Sequence, residues 1–310
     1  MSFIFHRFFS LSLLCAQSQT SGNLLPAMPL NDESEMNETA ISILNKVKYT
    51  YLFLPLLLLA LIASYLYVYD AWSAEHYVSI QKEAFTYFNL RLSKFPGLMY
   101  NLTQLGDALI ILSLCTALII YAPKIWECLI WASLISALLC SPFKWLFKIP
   151  RPAAILEKDS FVIIGKVYIG NNSLPSGHAI TVFTVLTVLL WALMPKNMTK
   201  RITWITLIIG MGSLFSLSRV GVGAHHLLDV LIGSIIGYIS GISGILINRN
   251  LPLWAWIGNK KYYPFFITLF IICSVIVMRK IWYDNLPVFY FSLISLFITT
   301  YIITRNYVKK

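Results

Sequence analysis

Three segments of this chain hold residue types that can grip a phosphate and cleave a bond to it. They are Lys144-Trp-Leu-Phe-Lys-Ile-Pro-Arg151-Pro152, Pro175-Ser176-Gly177-His178, and Ser218-Arg219-Val-Gly-Val-Gly-Ala-His225-His226-Leu-Leu-Asp229. Lys144, Arg151 and Arg219 are three fixed cations. Guanidinium groups fork onto phosphate oxygens, and lysine adds a point charge. Gly177 lets backbone approach a ligand with no side chain between. Ser176 and the N–H groups that follow it would open a helix, whose positive end attracts anions.

The histidines and the carboxylate complete a reaction site. An imidazole with one nitrogen held by a carboxylate keeps the other free to attack. His225 and Asp229 are four apart and share a face if a helix begins there. His178 can then protonate a leaving oxygen. Read alone, Lys144 and Arg151 are ordinary basic anchors at a helix end, and Asp229 a helix-start charge. The coincidence of the three segments favours the site. Lys148 fits no part of it and stays an anchor.

These segments must be positioned by something apolar. Of 310 residues, 58% are hydrophobic and 12% charged, and mean hydropathy is +0.72. Soluble domains carry about 25% charged residues, so this is membrane composition. The net charge of +11 is then explained by membrane orientation rather than by nucleic acid. About 20 apolar residues cross a bilayer as a helix. Eight such spans are expected, at 50–69, 104–122, 125–142, 179–195, 202–218, 227–247, 263–279 and 287–304. Residues 74–102, with Lys82, Arg91 and Lys94 among aromatics, should lie along the interface. The longest connection, 145–178, is of a length that is often functional or disordered.

In an alternating bundle the three segments fall on one face, at the end of span three, the start of span four and the junction of spans five and six. With eight spans, of the 24 Lys and Arg residues 13 fall on the side of the termini and 11 on the side of the long loop, or eight if Lys144, Arg151 and Arg219 are set aside. The positive-inside rule then puts the loop outside. The expected location is a bacterial inner membrane, with the site facing the periplasm.

Other features take structural readings. Phe8–Ala16 resembles a short signal sequence with a poor cleavage site. Residues 17–40 read as an unfolded polar tail, and Met28 and Met36 are alternative starts. The five cysteines form no C-x-x-C pair and read as buried apolar groups. Gly233, Gly237, Gly241 and Gly244 read as a small-residue packing stripe. His6 and His76 are tail or interfacial residues. Asp107 is a carboxylate at the mouth of span two with no partner evident in the sequence.

The motifs Lys-x6-Arg-Pro, Pro-Ser-Gly-His and Ser-Arg-x5-His-x3-Asp resemble, in order and spacing, the signature segments of the type 2 phosphatidic acid phosphatase (PAP2) superfamily, which also includes vanadium haloperoxidases. The likeness covers roughly residues 100–247. It implies an all-α polytopic bundle with a six-helix core at 49–247, an N-terminal tail at 1–48 and two extra C-terminal transmembrane helices at 248–310. It implies that Lys144, Arg151 and Arg219 bind phosphate oxygens and that Ser176 and Gly177 complete the phosphate site. His178 would be the general acid, His225 would form a phosphohistidine, and Asp229 would orient His225. The doubled His226 departs from the pattern; the spacing from Arg219 and Asp229 favours His225 as nucleophile.

The function expected from these residues is metal-independent hydrolysis of a phosphomonoester or diphosphate on a membrane lipid, with no cofactor. Phosphatidic acid, phosphatidylglycerophosphate, undecaprenyl diphosphate and a lipid A phosphate all fit, because the motifs read only phosphate. Specificity is expected from residues 74–102 and 153–172. A lipid phosphotransferase on the same scaffold needs a second acceptor pocket. A non-catalytic anion or lipid transporter should show inverted repeats and broken helices, and the sequence offers none. A haloperoxidase would be a soluble fold.

Overall fold

The computed structural model describes residues 31–308. His6, the apolar stretch Phe8–Ala16, Cys15, Lys309 and Lys310 lie outside the described residues. The described residues form an all-helical integral membrane bundle. Six helical segments of 20 to 33 residues are long and apolar enough to cross a bilayer, and Gly177–Ala192 is a shorter apolar helix.

The helices run α1 (Asn31–Leu44), α2 (Phe53–Val68), α3 (Ala74–Ser79), α4 (Lys82–Leu92), α5 (Pro96–Gln104), α6 (Ala108–Leu114), α7 (Leu118–Tyr121), α8 (Pro123–Phe147), α9 (Gly177–Ala192), α10 (Met198–Gly221), α11 (Leu227–Asn250), α12 (Tyr263–Asp284) and α13 (Pro287–Val308). Residues 31–40, expected to be unfolded, form most of α1. Ala40, Leu44 and Val47 are buried against Ile125 and Leu129 of α8, and the Asn37 amide oxygen accepts from the Lys124 N–H at 3.1 Å. Tertiary burial overrides polar composition there.

The expected span 104–122 is not one helix. Gly106 interrupts it, and the Asp107 carboxylate caps a new start by accepting from Leu109 N–H at 2.9 Å. Thr116 Oγ1 then donates to the Ser113 carbonyl, a side-chain bond that competes with the helix ladder. Apolarity alone cannot register these interruptions. The chain still traverses the bundle in pieces. Met99 of α5 meets Gly221 at the end of α10, while Trp126 near the start of α8 donates to the Cys115 carbonyl. Parity, and with it the shared face of the three segments, survives.

Asp107 has a partner after all: Lys280 of α12 donates to its Oδ2 at 2.8 Å. Its sequence distance hid the pair.

The centre of the bundle is α11 packed on α9 and α8, and the glycine stripe makes that approach possible. A Cβ on Gly233 would stand 2.7 Å from the Ser176 carbonyl oxygen, one on Gly237 2.5 Å from that of Ile180, and one on Gly244 2.5 Å from Ala132 N. With no side chain on the α11 side of the seam at these positions, backbones approach closely and dispersion accumulates along three helices.

The long loop is pinned rather than loose. Lys148, at φ 46°, ends α8 in a left-handed cap. Arg151 N–H donates to Gly170 O at 2.9 Å and Ser173 N–H to Ile149 O at 3.0 Å. Farther along, Ile164 N–H donates to Val222 O, and the Asn89 side chain both accepts from Val162 N–H and donates to Val162 O. Gly223, at φ 74°, makes the turn on which this loop rests; a Cβ there would lie 2.7 Å from Val162 O.

Candidate active site

The turn of residues 222–226 presents His225 where the last residues of α8 and α10 and the first of α9 and α11 converge. Arg151 Nη1 lies 3.3 Å from His225 Nε2. Guanidinium can only donate, so Nε2 is the acceptor and the ring proton sits on Nδ1. Burial, reinforced by the Arg219 and Arg151 charges, outweighs the Asp229 hydrogen bond and depresses the His225 pKa to about 3. The imidazole is therefore neutral at physiological pH, with a lone pair on Nε2.

Asp229 is fully buried and collects donors. Tyr77 Oη donates to Oδ1 at 2.9 Å. Ser173 Oγ donates to Oδ2 at 2.6 Å and the His226 backbone N–H to the same oxygen at 2.9 Å. His225 Nδ1 stands 3.5 Å from Oδ2 and 3.4 Å from Ser173 Oγ. Asp229 is thus both the helix-start charge and the partner of His225, because as the third residue of α11 it reaches back over the turn that carries both histidines.

The remaining predicted residues gather on the other side of His225. Arg151 is held by Asn172 Oδ1 at 2.8 Å and the Ala224 carbonyl at 3.1 Å. Arg219 is 2% exposed; its Nη1 donates to Thr103 Oγ1 at 2.7 Å, and its buried Nε has no partner. Tyr168 places its ring against both guanidiniums, 5.1 Å from Arg151 Cζ and 5.4 Å from Arg219 Cζ. Lys144 Nζ lies 3.5 Å from where a Gly177 Cβ would be. Ser176 caps α9: its Oγ accepts from Ala179 N–H at 3.5 Å and its own N–H goes to Asp229 O. Its hydroxyl proton remains to be given, as do the N–H groups of the first helical turn. His178 lies within electrostatic reach of Arg219, His225, Lys144 and Arg151. Its ring packs on Gly106, where a Cβ would come within 2.5 Å of His178 Cβ.

The two adjacent histidines are not successive residues of a helix. His226 is the extended N-cap of α11, with φ −72° and ψ 164°, and His225 precedes it. They still face different ways. His226 Nε2 pairs with the Pro150 carbonyl at 3.1 Å and its ring meets Phe85 edge-on at 5.5 Å.

Sequence reasoning missed Tyr77, Thr103, Tyr168, Asn172 and Ser173. None has a motif spacing. Ser173 alone lay within reach, two residues before Pro175.

Such an arrangement can bind a tetrahedral oxyanion between three cations and set a neutral imidazole nitrogen against its central atom. A cradle of Lys144, Arg151 and Arg219 would repel a metal cation, and among the described residues no group of three or more His, Cys, Asp or Glu side chains is placed to hold one.

No curated protein matches the sequence. The crystal structure of Aquifex aeolicus LpxE is similar at a TM-score of 0.45 and 26% sequence identity, over 54% of this chain and 95% of that one. Residues 126–251 match the family model of the PAP2 superfamily, and they contain all eight of the predicted site residues. Over that stretch the chain is similar to the PAP2 superfamily.

Proposed function

We propose that this membrane protein hydrolyses a phosphomonoester or diphosphate on a lipid, without a metal, through a phosphohistidine on His225. The observation that carries this reading is the neutral, Nδ1-protonated His225 with its Nε2 against Arg151. An arriving phosphate would take over the Arg151 donor and meet the unpartnered Arg219 Nε, satisfying a buried cation that the protein leaves incomplete. Lys144, the Ser176 hydroxyl and the first N–H groups of α9 would take the remaining oxygens.

In the first step Nε2 attacks phosphorus in line, the bond from phosphorus to the lipid oxygen breaks, and His178 gives that oxygen a proton. Asp229 stabilises the positive imidazolium ring. In the second step water attacks phosphorus, His178 takes its proton, and the bond from Nε2 to phosphorus breaks to release inorganic phosphate. The three cations meet the charge that builds on the phosphoryl oxygens. We place the pocket on the outer face of the membrane, from the distribution of Lys and Arg; impermeant labelling of single cysteines at 155–170 in intact cells tests this, and labelling only after lysis reverses it.

The test of function is release of phosphate by purified protein from phosphatidic acid, phosphatidylglycerophosphate, undecaprenyl diphosphate and a lipid A phosphate, in EDTA. Turnover of at least one, inhibited by millimolar vanadate and absent in His225→Ala, is expected. Activity that disappears with EDTA while the protein stays folded overturns the mechanism. Phosphorylated lipid in place of free phosphate makes it a phosphotransferase.

A further inference from the structure

We infer that Tyr77 and Ser173 are positioning residues that fix the Asp229 carboxylate, and through it the tautomer and aim of His225. The inference rests on the reading of His225 as nucleophile. Tyr77 lies outside the residues matched to the family model, on the short helix α3, so that match assigns it nothing.

The geometry is specific. Asp229 to His225 is 3.5 Å, too long for a strong direct hydrogen bond. The Ser173 hydroxyl stands between them, donating to Asp229 Oδ2 at 2.6 Å with its oxygen 3.4 Å from His225 Nδ1. Ser173 therefore holds the carboxylate oxygen nearest the Nδ1–H and offers that N–H a second acceptor at a similar distance. Tyr77 takes the other carboxylate oxygen at 2.9 Å. A buried carboxylate needs donors at both oxygens. Without the phenol, Oδ1 is left bare in an apolar setting, and the carboxylate can relieve that by rotating or by taking a proton. Either change costs His225 its partner. Burial first, and then the Asp229 charge, hold the Tyr77 phenol well above its usual pKa, so it stays a donor.

The elements around Tyr77 are built to hold it. It is 1% exposed and packs in a cluster with Leu66, Ile149 and Leu174. One turn on, Gln81 donates to the Tyr77 carbonyl at 2.8 Å and accepts from Leu228 N–H at 2.9 Å. The junction of α3 and α4 thus grips the first turn of α11 at two adjacent residues. Within residues 74–102, Tyr77 is the residue that reaches the support of the nucleophile.

The experiment uses full-length protein and whichever lipid phosphate it turns over. Tyr77→Phe removes one oxygen and keeps the ring. It should lower kcat about tenfold or more, in line with a hydrogen bond to a charged group, with KM changed less than about twofold. Ser173→Ala should do the same and serves if Tyr77→Phe does not fold. The readout a merely structural role would not move is the double-mutant cycle. In an Asp229→Asn background, Tyr77→Phe should cost less than about threefold. Full kcat in both folded single variants, or a loss of the same size with and without Asp229, overturns the inference. If His225→Ala retains activity, the reading of the nucleophile itself has failed; if it is inactive while Tyr77→Phe and Ser173→Ala are unimpaired, only the positioning role has failed.

Discussion

Replacing each of the paired histidines separates the two roles that the turn at 222–226 assigns them. His225→Ala removes the nitrogen that faces Arg151. Turnover should fall by about 10⁴-fold or more, as when a covalent nucleophile is deleted, and no phosphoenzyme should be trapped by acid quench. His226→Ala removes a wholly buried ring from contact with Phe85 and frees the Pro150 carbonyl. The lost bond is worth about 1 kcal/mol and the cavity about 2–3 kcal/mol, so stability should drop by about 3–4 kcal/mol. Its backbone N–H still reaches Asp229, so the support of His225 survives. Because Pro150 precedes Arg151, a tenfold loss of kcat/KM from a loosened cradle is the most the geometry allows for, about 1.4 kcal/mol. The assay pairs phosphate release and phosphoenzyme trapping with thermal unfolding in detergent. A folded His226→Ala protein that forms no phosphoenzyme, beside an active His225→Ala, would refute the assignment.

Three further outcomes follow from the same geometry. A Cβ on Gly177 meets only Lys144 Nζ and Cys140 Sγ at ordinary contact distance, so Gly177→Ala should unfold at nearly the wild-type temperature yet lose at least about tenfold in kcat/KM, the methyl group occupying phosphate space; unchanged activity would remove Gly177 from the cradle. Arg219→Lys keeps the charge but loses the fork that bonds Thr103 and leaves Nε for phosphate, and should raise KM and the vanadate inhibition constant by about tenfold or more; equal inhibition by vanadate would contradict the contact. In phosphate-free protein the folded His225 pKa, about 3, lies below its unfolded value of about 6.5. The unfolded chain therefore binds the extra proton between those values, so the contribution of neutral His225 is whole above about pH 6.5 and lost as pH falls toward 3. His225→Ala should flatten the decline of stability across that window, and an unchanged slope would contradict the buried neutral ring.

Legibility in the sequence followed the physics of each signal. Lys144, Arg151, Ser176, Gly177, His178, Arg219, His225 and Asp229 were readable because helix ends convert fixed spacing into fixed direction, and the structure brings all eight to one end of the bundle. The glycine stripe was readable for a related reason: close backbone approach leaves few choices of residue. The broken helix at 104–122 was not, because Asp107 and Thr116 act through local side-chain bonds that an apolar window averages away. Tyr77 was invisible for another reason. It is 152 residues from Asp229, and nothing local to either distinguishes their contact from an interfacial tyrosine and a helix-start aspartate.

The pair formed by Asp107 and Lys280 changes where the pocket ends. Gly106, next to Asp107, is the surface against which the ring of His178 rests, and Lys280 holds that surface from α12. Nearby, Tyr100 donates to Asp284 and Asn101 accepts from Val288 N–H, so the turn between α12 and α13 is stitched to the same stretch of backbone. The C-terminal hairpin therefore braces, from outside, the backbone on which His178 packs. A protein cut after residue 250 would keep every signature residue and Gly106 itself, yet lose the Lys280, Asp284 and Val288 contacts that hold that stretch of backbone in place.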